Sequence, residues 1–249
     1  MITREELSEL KEKKKTSLYY VEKEYLQYIF LNALFKHNED FAFKGGTCLR
    51  ICYGLERASE DIDFSTSLKP REIKPIVERC LRDFGLLNIR YKVYTEKKFV
   101  DNVRFEIRFE GPLFTGQLSS TNTLKIDFNH QKAKYIVVKV VAKIFSDVPL
   151  FTLRAVDEKE IFAEKIRTLA NRKQPRDLYD IWMLSNKRVE VDNVLITNKL
   201  NEEKSVLTEE IFPSKEEYER DLKNLVVVVP PYEQVRKEVN EVLRQFMKN

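Results

Sequence analysis

Histidine, cysteine and long apolar runs are scarce in this chain, and each scarcity removes a class of protein. Two histidines are too few for a His-rich metal centre, so any metal bound here is held by oxygen. Three cysteines, Cys48, Cys52 and Cys80, are too few and too irregular for a disulfide framework, and Cys48 and Cys52 read as small buried groups on one helix face. No run of roughly 18 apolar residues occurs, which excludes an ordinary membrane span. The amino end, Met1-Ile2-Thr3-Arg4-Glu5-Glu6, lacks the apolar stretch and small-residue cleavage site of an export signal, so the expected location is the cytoplasm. Glycine is also sparse, at six residues, and there is no internal repeat or low-complexity linker. What the chain has in quantity is charge, 44 basic against 40 acidic residues, together with 43% hydrophobic residues over a length of 249. That is enough for one large globular domain or two modest ones. A net charge of +4 permits nucleic-acid contact without requiring it, because phosphate binding depends on a local basic patch.

Hydrophobic periodicity divides the chain into an amino-terminal helical layer (1–40), an α+β core (41–150) and a mostly helical carboxyl-terminal region (151–249). Residues 3–14 are charged and helix-forming. A second helix starts after Thr16 or Ser17, with Leu18, Val21, Tyr25, Tyr28, Leu31 and Phe35 at helical spacing; its lysines and tyrosines read as the solvated face of an amphipathic helix. Phe41-Ala42-Phe43 is a short buried strand running into a Gly-Gly turn, and Thr47–Tyr53 a helix. Asp61-Ile62-Asp63-Phe64 alternates strictly, so it is a strand with both carboxylates on one face. A helix over about 70–84 and alternating segments at 89–95, 103–110 and 123–128 extend the sheet by antiparallel pairing. After Leu150 the pattern turns helical, with Asp157 and Glu160 spaced as a capping box, Pro175 in the first turn of another helix, and a terminal helix over 232–247. Leu225-Val226-Val227-Val228-Val229 reads either as a buried strand or as an extended segment halted by Pro230-Pro231.

Two carboxylates separated by two residues on a strand lie about 6 to 7 Å apart and can lean together on one divalent cation. Asp61 and Asp63 have that spacing. A third acid is expected on a neighbouring strand, and Asp127, flanked by apolar residues in Leu124-Lys125-Ile126-Asp127-Phe128, is best placed for it, with Glu106 as the alternative. Three carboxylates within about 5 Å repel by roughly 3 kcal/mol per pair at an effective dielectric of about 20, so the site recruits cations or stays partly protonated. Mg²⁺ suits such ligands. A pair of these ions would position a triphosphate and lower the pKa of an attacking hydroxyl, with Asp127 as base, which is in-line nucleotidyl transfer. Gly45 and Gly46 complement this, because glycine lets backbone amides approach phosphate and the helix start adds partial positive charge. No glycine lies at the required distance ahead of a Gly-Lys-Ser/Thr triplet, so the turn is not a P-loop.

Lys44-Gly45-Gly46-Thr47, Arg57 with Ser59-Glu60-Asp61-Ile62-Asp63, Asp127, Glu164-Lys165 and Arg176-Asp177-Leu178-Tyr179-Asp180 follow one another over residues 40–185. In that combination the chain resembles the polymerase-beta nucleotidyltransferase superfamily and, within it, the AbiEii/AbiGii toxin family. The resemblance implies an enzyme of toxin–antitoxin or phage-defence type that moves a nucleotide from an NTP to RNA, such as a tRNA acceptor end, with Mg²⁺, and that is paired with an antitoxin. It makes Asp61, Asp63 and Asp127 the metal-binding and catalytic residues, and Lys44, Gly45, Gly46, Thr47, Ser59, Lys165 and Asp177 the nucleotide-binding set, Lys165 touching the triphosphate. The superfamily usually has Gly-Ser at the turn; Gly46-Thr47 here keeps a hydroxyl. Read from the residues alone, Lys165 lies off the Phe162-Ile166-Leu169 stripe on the face of Arg172, while Arg176 and Asp180, one turn apart, are spaced to pair. Two other functions use similar parts: a catalytically idle binding protein of the same fold, and a two-metal phosphodiesterase or nuclease, which needs no triphosphate contacts.

Overall fold

The computed structural model describes residues 1–247; residues 248 and 249, the end of the carboxyl-terminal region, lie outside it. Two compact units are present, one made of Met1–Cys52 and Ala58–Val156, the other of Tyr53–Arg57 and the chain from Asp157 onward.

The first unit opens with helix α1 (Arg4–Lys14), started by a capping box between Thr3 and Glu6, and helix α2 (Leu18–Phe35), capped by Ser17. Strand β1 (Phe41–Lys44) runs straight into helix α3 (Gly45–Tyr53), so the expected glycine turn is the first residue of the helix itself. Strand β2 (Asp61–Thr66) and helix α4 (Pro70–Leu86) follow, then strands β3 (Arg90–Lys98), β4 (Asn102–Glu110), β5 (Asn122–Asn129), β6 (Ile136–Val141) and β7 (Phe151–Val156). The strands form one mixed sheet in the order β3-β4-β5-β2-β1-β7-β6. β3, β4 and β5 pair antiparallel as the alternation predicts, but β5 joins β2 in parallel.

Strands β6 and β7 depart from the sequence reading. Phe151–Val156 pairs with β1 and β6 where a helix onset is expected after Leu150, and helix begins only at Glu158. Strand β6 carries no clean period of two, with Val138 and Val140 exposed on the sheet edge, whereas β7 alternates Phe151, Leu153 and Ala155 with Thr152 and Arg154.

One face of the sheet is a phenylalanine core. Phe64 stacks on Phe128 with ring centroids 5.1 Å apart and planes 16° from parallel, and Phe43 and Phe41 close on the pair at 5.6 and 5.3 Å. Helix α4 covers part of this face through Ile73, Val77, Cys80, Leu81 and Phe84, a stripe at helical spacing.

Helix α2 is not the half-solvated helix expected. It is buried nearly all round, including Glu22, Lys23, Glu24 and Gln27, and each finds a partner. The Glu22 carboxylate accepts from the Leu113 amide and the Asn122 side chain, and Lys23 donates to the Thr123 carbonyl at 2.6 Å. Glu24 pairs with Lys14 and Arg50, and Gln27 donates to the carbonyls of Ser59 and Glu60. Burying these side chains is tolerated because each meets an opposite charge, a side-chain amide or a backbone group.

The second unit is helical: α5 (Glu158–Arg172), α6 (Pro175–Asn186), α7 (Asn193–Glu202), α8 (Lys215–Leu222) and α9 (Tyr232–Leu243). Asp157 caps α5 by accepting from the Lys159 amide, and Glu160 does not close a capping box but pairs with Lys199 at 3.0 Å. The stretch 225–229 is neither buried strand nor extended segment; it turns and bends, with Val227 and Val228 exposed. The terminal helix stops at Leu243 and tightens into a 3-10 turn over Arg244–Phe246.

Because Phe64 touches five other phenylalanines, Phe64→Ala is expected to remove about 3–5 kcal/mol of stability, the range for deleting a buried aromatic. Urea denaturation followed by circular dichroism measures it; a loss under about 1 kcal/mol contradicts this packing.

Candidate active site

The face of the sheet opposite the phenylalanines is polar, and its register fixes which charges meet. Lys44 of β1, Asp63 of β2, Asp127 of β5 and Arg104 of β4 are successive cross-strand partners, a row that reads plus, minus, minus, plus. One step along, Asp61 stands beside Lys125, with Glu106 beyond it. Asp127 is therefore the acid adjacent to the Asp61/Asp63 strand, and Glu106 is one strand further away, across Lys125.

The lead-in to β2 is held from two sides. Thr47, fully buried on α3, donates its hydroxyl to the Asp61 carbonyl and shares a 2.8 Å hydrogen bond with the Ser59 hydroxyl. Gln27 grips the preceding carbonyls from α2. Thr47 and Ser59 thus act on the backbone that carries Asp61. Gly45 takes φ +78°, and a Cβ there would stand 3.1 Å from the Asp63 carboxyl carbon and closer still to one of its oxygens. The close approach that glycine permits at this helix start is occupied by Asp63, whose negative charge suits the positive end of α3.

Arg104 donates to Asp127 at 2.7 Å. Burial, helped by the negative charge of Asp61, nevertheless pushes the Asp127 carboxyl above the usual aspartate range against the pull of Arg104. The Arg104 guanidinium is held more basic by its bond to Asp127, with Asp61 and Asp63 adding to the effect. The three aspartates share one face, but among the described residues no three acids are gathered closely enough to hold an ion as they stand. Their donor chemistry fits a hard divalent cation, which would also offset the smaller push that Asp61 exerts on Asp127.

Lys165 and Asp177 lie in the second unit, in a buried ion cluster. The Lys165 ammonium sits 2.8 Å from Asp177 and 2.7 Å from Asp180, Arg172 donates twice to Asp177, and Arg57 grips Asp180 at 2.6 and 2.7 Å. Asp180 does not pair with Arg176, the partner expected from spacing; Arg57, brought in from far up the chain, takes that place. Burial would pull the Lys165 ammonium down, but the two aspartates outweigh it and hold it above its ordinary value. Both carboxylates are kept below the usual range, because Lys165 with Arg172 and Arg57 with Lys165 overcome the penalty of burial. Lys165 and Arg172 do share a face, as predicted, but that face meets aspartates.

The sequence reading missed Arg104, although the alternation of Asn102–Glu110 already places Asn102, Arg104, Glu106 and Arg108 on one side.

A family profile described as "Nucleotidyl transferase AbiEii toxin, Type IV TA system" matches residues 29–245. The chain belongs to this family. It is thus a nucleotidyltransferase toxin of the type IV toxin–antitoxin class, which implies an NTP substrate and an antitoxin partner. Among solved structures it is similar to MenT4, a nucleotidyltransferase toxin of Mycobacterium tuberculosis, at 17% identity and TM-score 0.67, covering 97% of this chain and 88% of that one. JHP933 of Helicobacter pylori is similar at 19% identity and TM-score 0.63, covering 93% of each chain. These likenesses support the AbiEii fold described above. No curated protein matches the sequence. No helix among the described residues is long and apolar enough to cross a membrane.

Gly45→Ala is expected to cost about 1–2 kcal/mol from its left-handed backbone alone and to displace Asp63, so transferase activity should fall more than stability does; equal activity in the variant is incompatible with the contact. In the second unit, Asp180→Ala strands Arg57 and is expected to cost about 3–5 kcal/mol. Since Asp177 and Asp180 have lowered folded values, their stabilisation is complete above the unfolded carboxyl value of about 4 and is lost as pH falls below it. Urea titrations at neutral and acid pH should show Asp177→Asn losing less stability on acidification than the wild type.

Proposed function

We propose that this AbiEii enzyme transfers a nucleoside monophosphate from an NTP to an RNA acceptor, tRNA being the leading candidate, and that Asp61, Asp63 and Asp127 bind Mg²⁺ for the reaction. The observation that carries this reading is the register of β2 on β5, which sets Asp127 directly beside Asp63 with Asp61 on the same face. When bound there, Mg²⁺ supplies neutralisation of the triphosphate and a lower pKa for the acceptor hydroxyl.

The roles of the chain's own groups follow from their positions. Asp127, with its carboxyl raised, is the base for the acceptor hydroxyl, and Arg104 orients it. Lys44, beside Asp63 in the same row, faces the phosphates as a fixed positive charge. Thr47, Ser59 and Gly45 hold the two strand aspartates in register. Gly46 is buried in the first turn of α3, where backbone amides point outward from the helix start. For Lys165 and Asp177 the ion cluster supports bracing of the helical unit in place of the expected triphosphate contact, because the ammonium already meets two carboxylates.

The test incubates the protein with each labelled NTP, Mg²⁺ and total RNA, and follows label in RNA and release of pyrophosphate. Asp61→Asn and Asp63→Asn should each lower transfer by about 100-fold or more, as loss of one preorganised electrostatic group does elsewhere. Equal labelling by wild type and either variant would reject the assignment.

A further inference from the structure

The polar face extends past the aspartates to the sheet edge, and its composition changes on the way. Three strand spacings separate β2 from the edge strand β3. Over that distance Lys125, Arg104, Arg108, Lys97, Lys92 and Arg90 point to the same side, against the acids Glu106, Glu110 and Asp127. Lys92, Lys97, Arg104 and Lys125 are exposed. The opposite faces of β4 and β5 carry Val103, Phe105, Ile107, Phe109, Leu124 and Ile126, all buried, so the core makes no demand for cations here.

An irregularity in β3 adds an aromatic to this face. The pairing of β3 with β4 slips between Val93 and Thr95, leaving Tyr94 as the extra residue, and bulges of this kind re-aim a side chain. The Tyr94 ring lies under the Arg108 guanidinium, 3.9 Å from its centroid, yet 57% of the residue is exposed. Thr95, next to it, shares the cross-strand row of Glu106, Lys125 and Asp61. Tyr94 thus stands about 14 Å across the sheet from Asp61, at about 4.8 Å per strand. A stacked single strand covers that span in about four steps of about 3.4 Å.

We infer that this open face is the acceptor track: a single-stranded RNA end runs from the aspartates over Lys125 and Arg104 and stacks a base on the Tyr94–Arg108 pair. Cations spaced along a path that ends in an exposed aromatic step match a polyanion with flat bases, and base stacking tolerates any sequence. The inference deepens the proposed function and rests on its RNA acceptor. It adds a requirement for about four unpaired nucleotides.

Binding is measured with the full chain and no NTP, by fluorescence anisotropy of labelled hairpin RNAs that end blunt or in a four-nucleotide 3′ tail. The tailed RNA should bind about tenfold tighter or more, Tyr94→Ala should erase that difference, and Tyr94→Phe should retain it. Lys92→Ala with Lys97→Ala should reduce the salt slope of log affinity by about 1.4, two contacts at about 0.7 each. Equal binding of blunt and tailed RNA, or a change under twofold for Tyr94→Ala, overturns the track. A parallel transfer assay separates the two failures: label entering RNA while Tyr94→Ala binds normally removes only the track, whereas label appearing on protein and not on RNA removes the RNA acceptor as well.

Discussion

The in-register position of β2 between β1 and β5 is the constraint on which the first unit depends. The strand carries phenylalanine on one side and aspartate on the other, and its pairings, antiparallel to β1 and parallel to β5, fix both faces at once. A slip of one residue would turn Asp63 into the Phe43, Phe64 and Phe128 cluster and expose Phe64 to water, so the aromatic core enforces the placement of the acids. Thr47 and Gln27 secure the entry of the strand, and the missing side chain of Gly45 leaves room for Asp63. Stability and site geometry are here the same interaction seen from opposite faces of one strand.

The protein handles its aspartates in two contrasting ways. In the helical unit, Asp177 and Asp180 are buried, yet Lys165, Arg172 and Arg57 supply full charge and hydrogen-bond compensation and keep both ionised. Such a cluster resists loss of any one member because the remaining charges would be stranded. On the sheet, Arg104 and Lys125 pull the Asp127 carboxyl down, yet burial, with a smaller push from Asp61, keeps it raised. Repulsion left unrelieved by the fold is what a bound cation relieves, and it belongs where phosphate chemistry takes place. The AbiEii family assigns nucleotidyl transfer to the chain, and this imbalance supports the sheet face as its location.

Much of this was legible in advance. Strict alternation in Asp61-Ile62-Asp63-Phe64 and in Val103–Glu110 predicts strands and their faces, since a period of two leaves little freedom, and helical spacing locates α2, α5 and α9. Local pattern failed where the environment differs from the usual half-buried one. Helix α2 carries charge that looks solvated but is consumed by backbone groups far along the chain. Strand β7 alternates Phe151, Leu153 and Ala155 with Thr152 and Arg154, but it is only six residues long and runs almost directly into α5. The valines after Leu225 look like a strand but turn and bend, with Val227 and Val228 exposed.

By itself, the sequence determined that Asp61 and Asp63 share a face and that the motifs are those of a nucleotidyltransferase, because these depend on residues adjacent in the chain. Which acid stands beside the pair, which side chain donates to it, and which carboxylates surround Lys165 were decided only by tertiary structure. Partners at long separation, such as Asp63 with Asp127 or Arg57 with Asp180, are chosen by strand register and helix packing, and no local pattern encodes them.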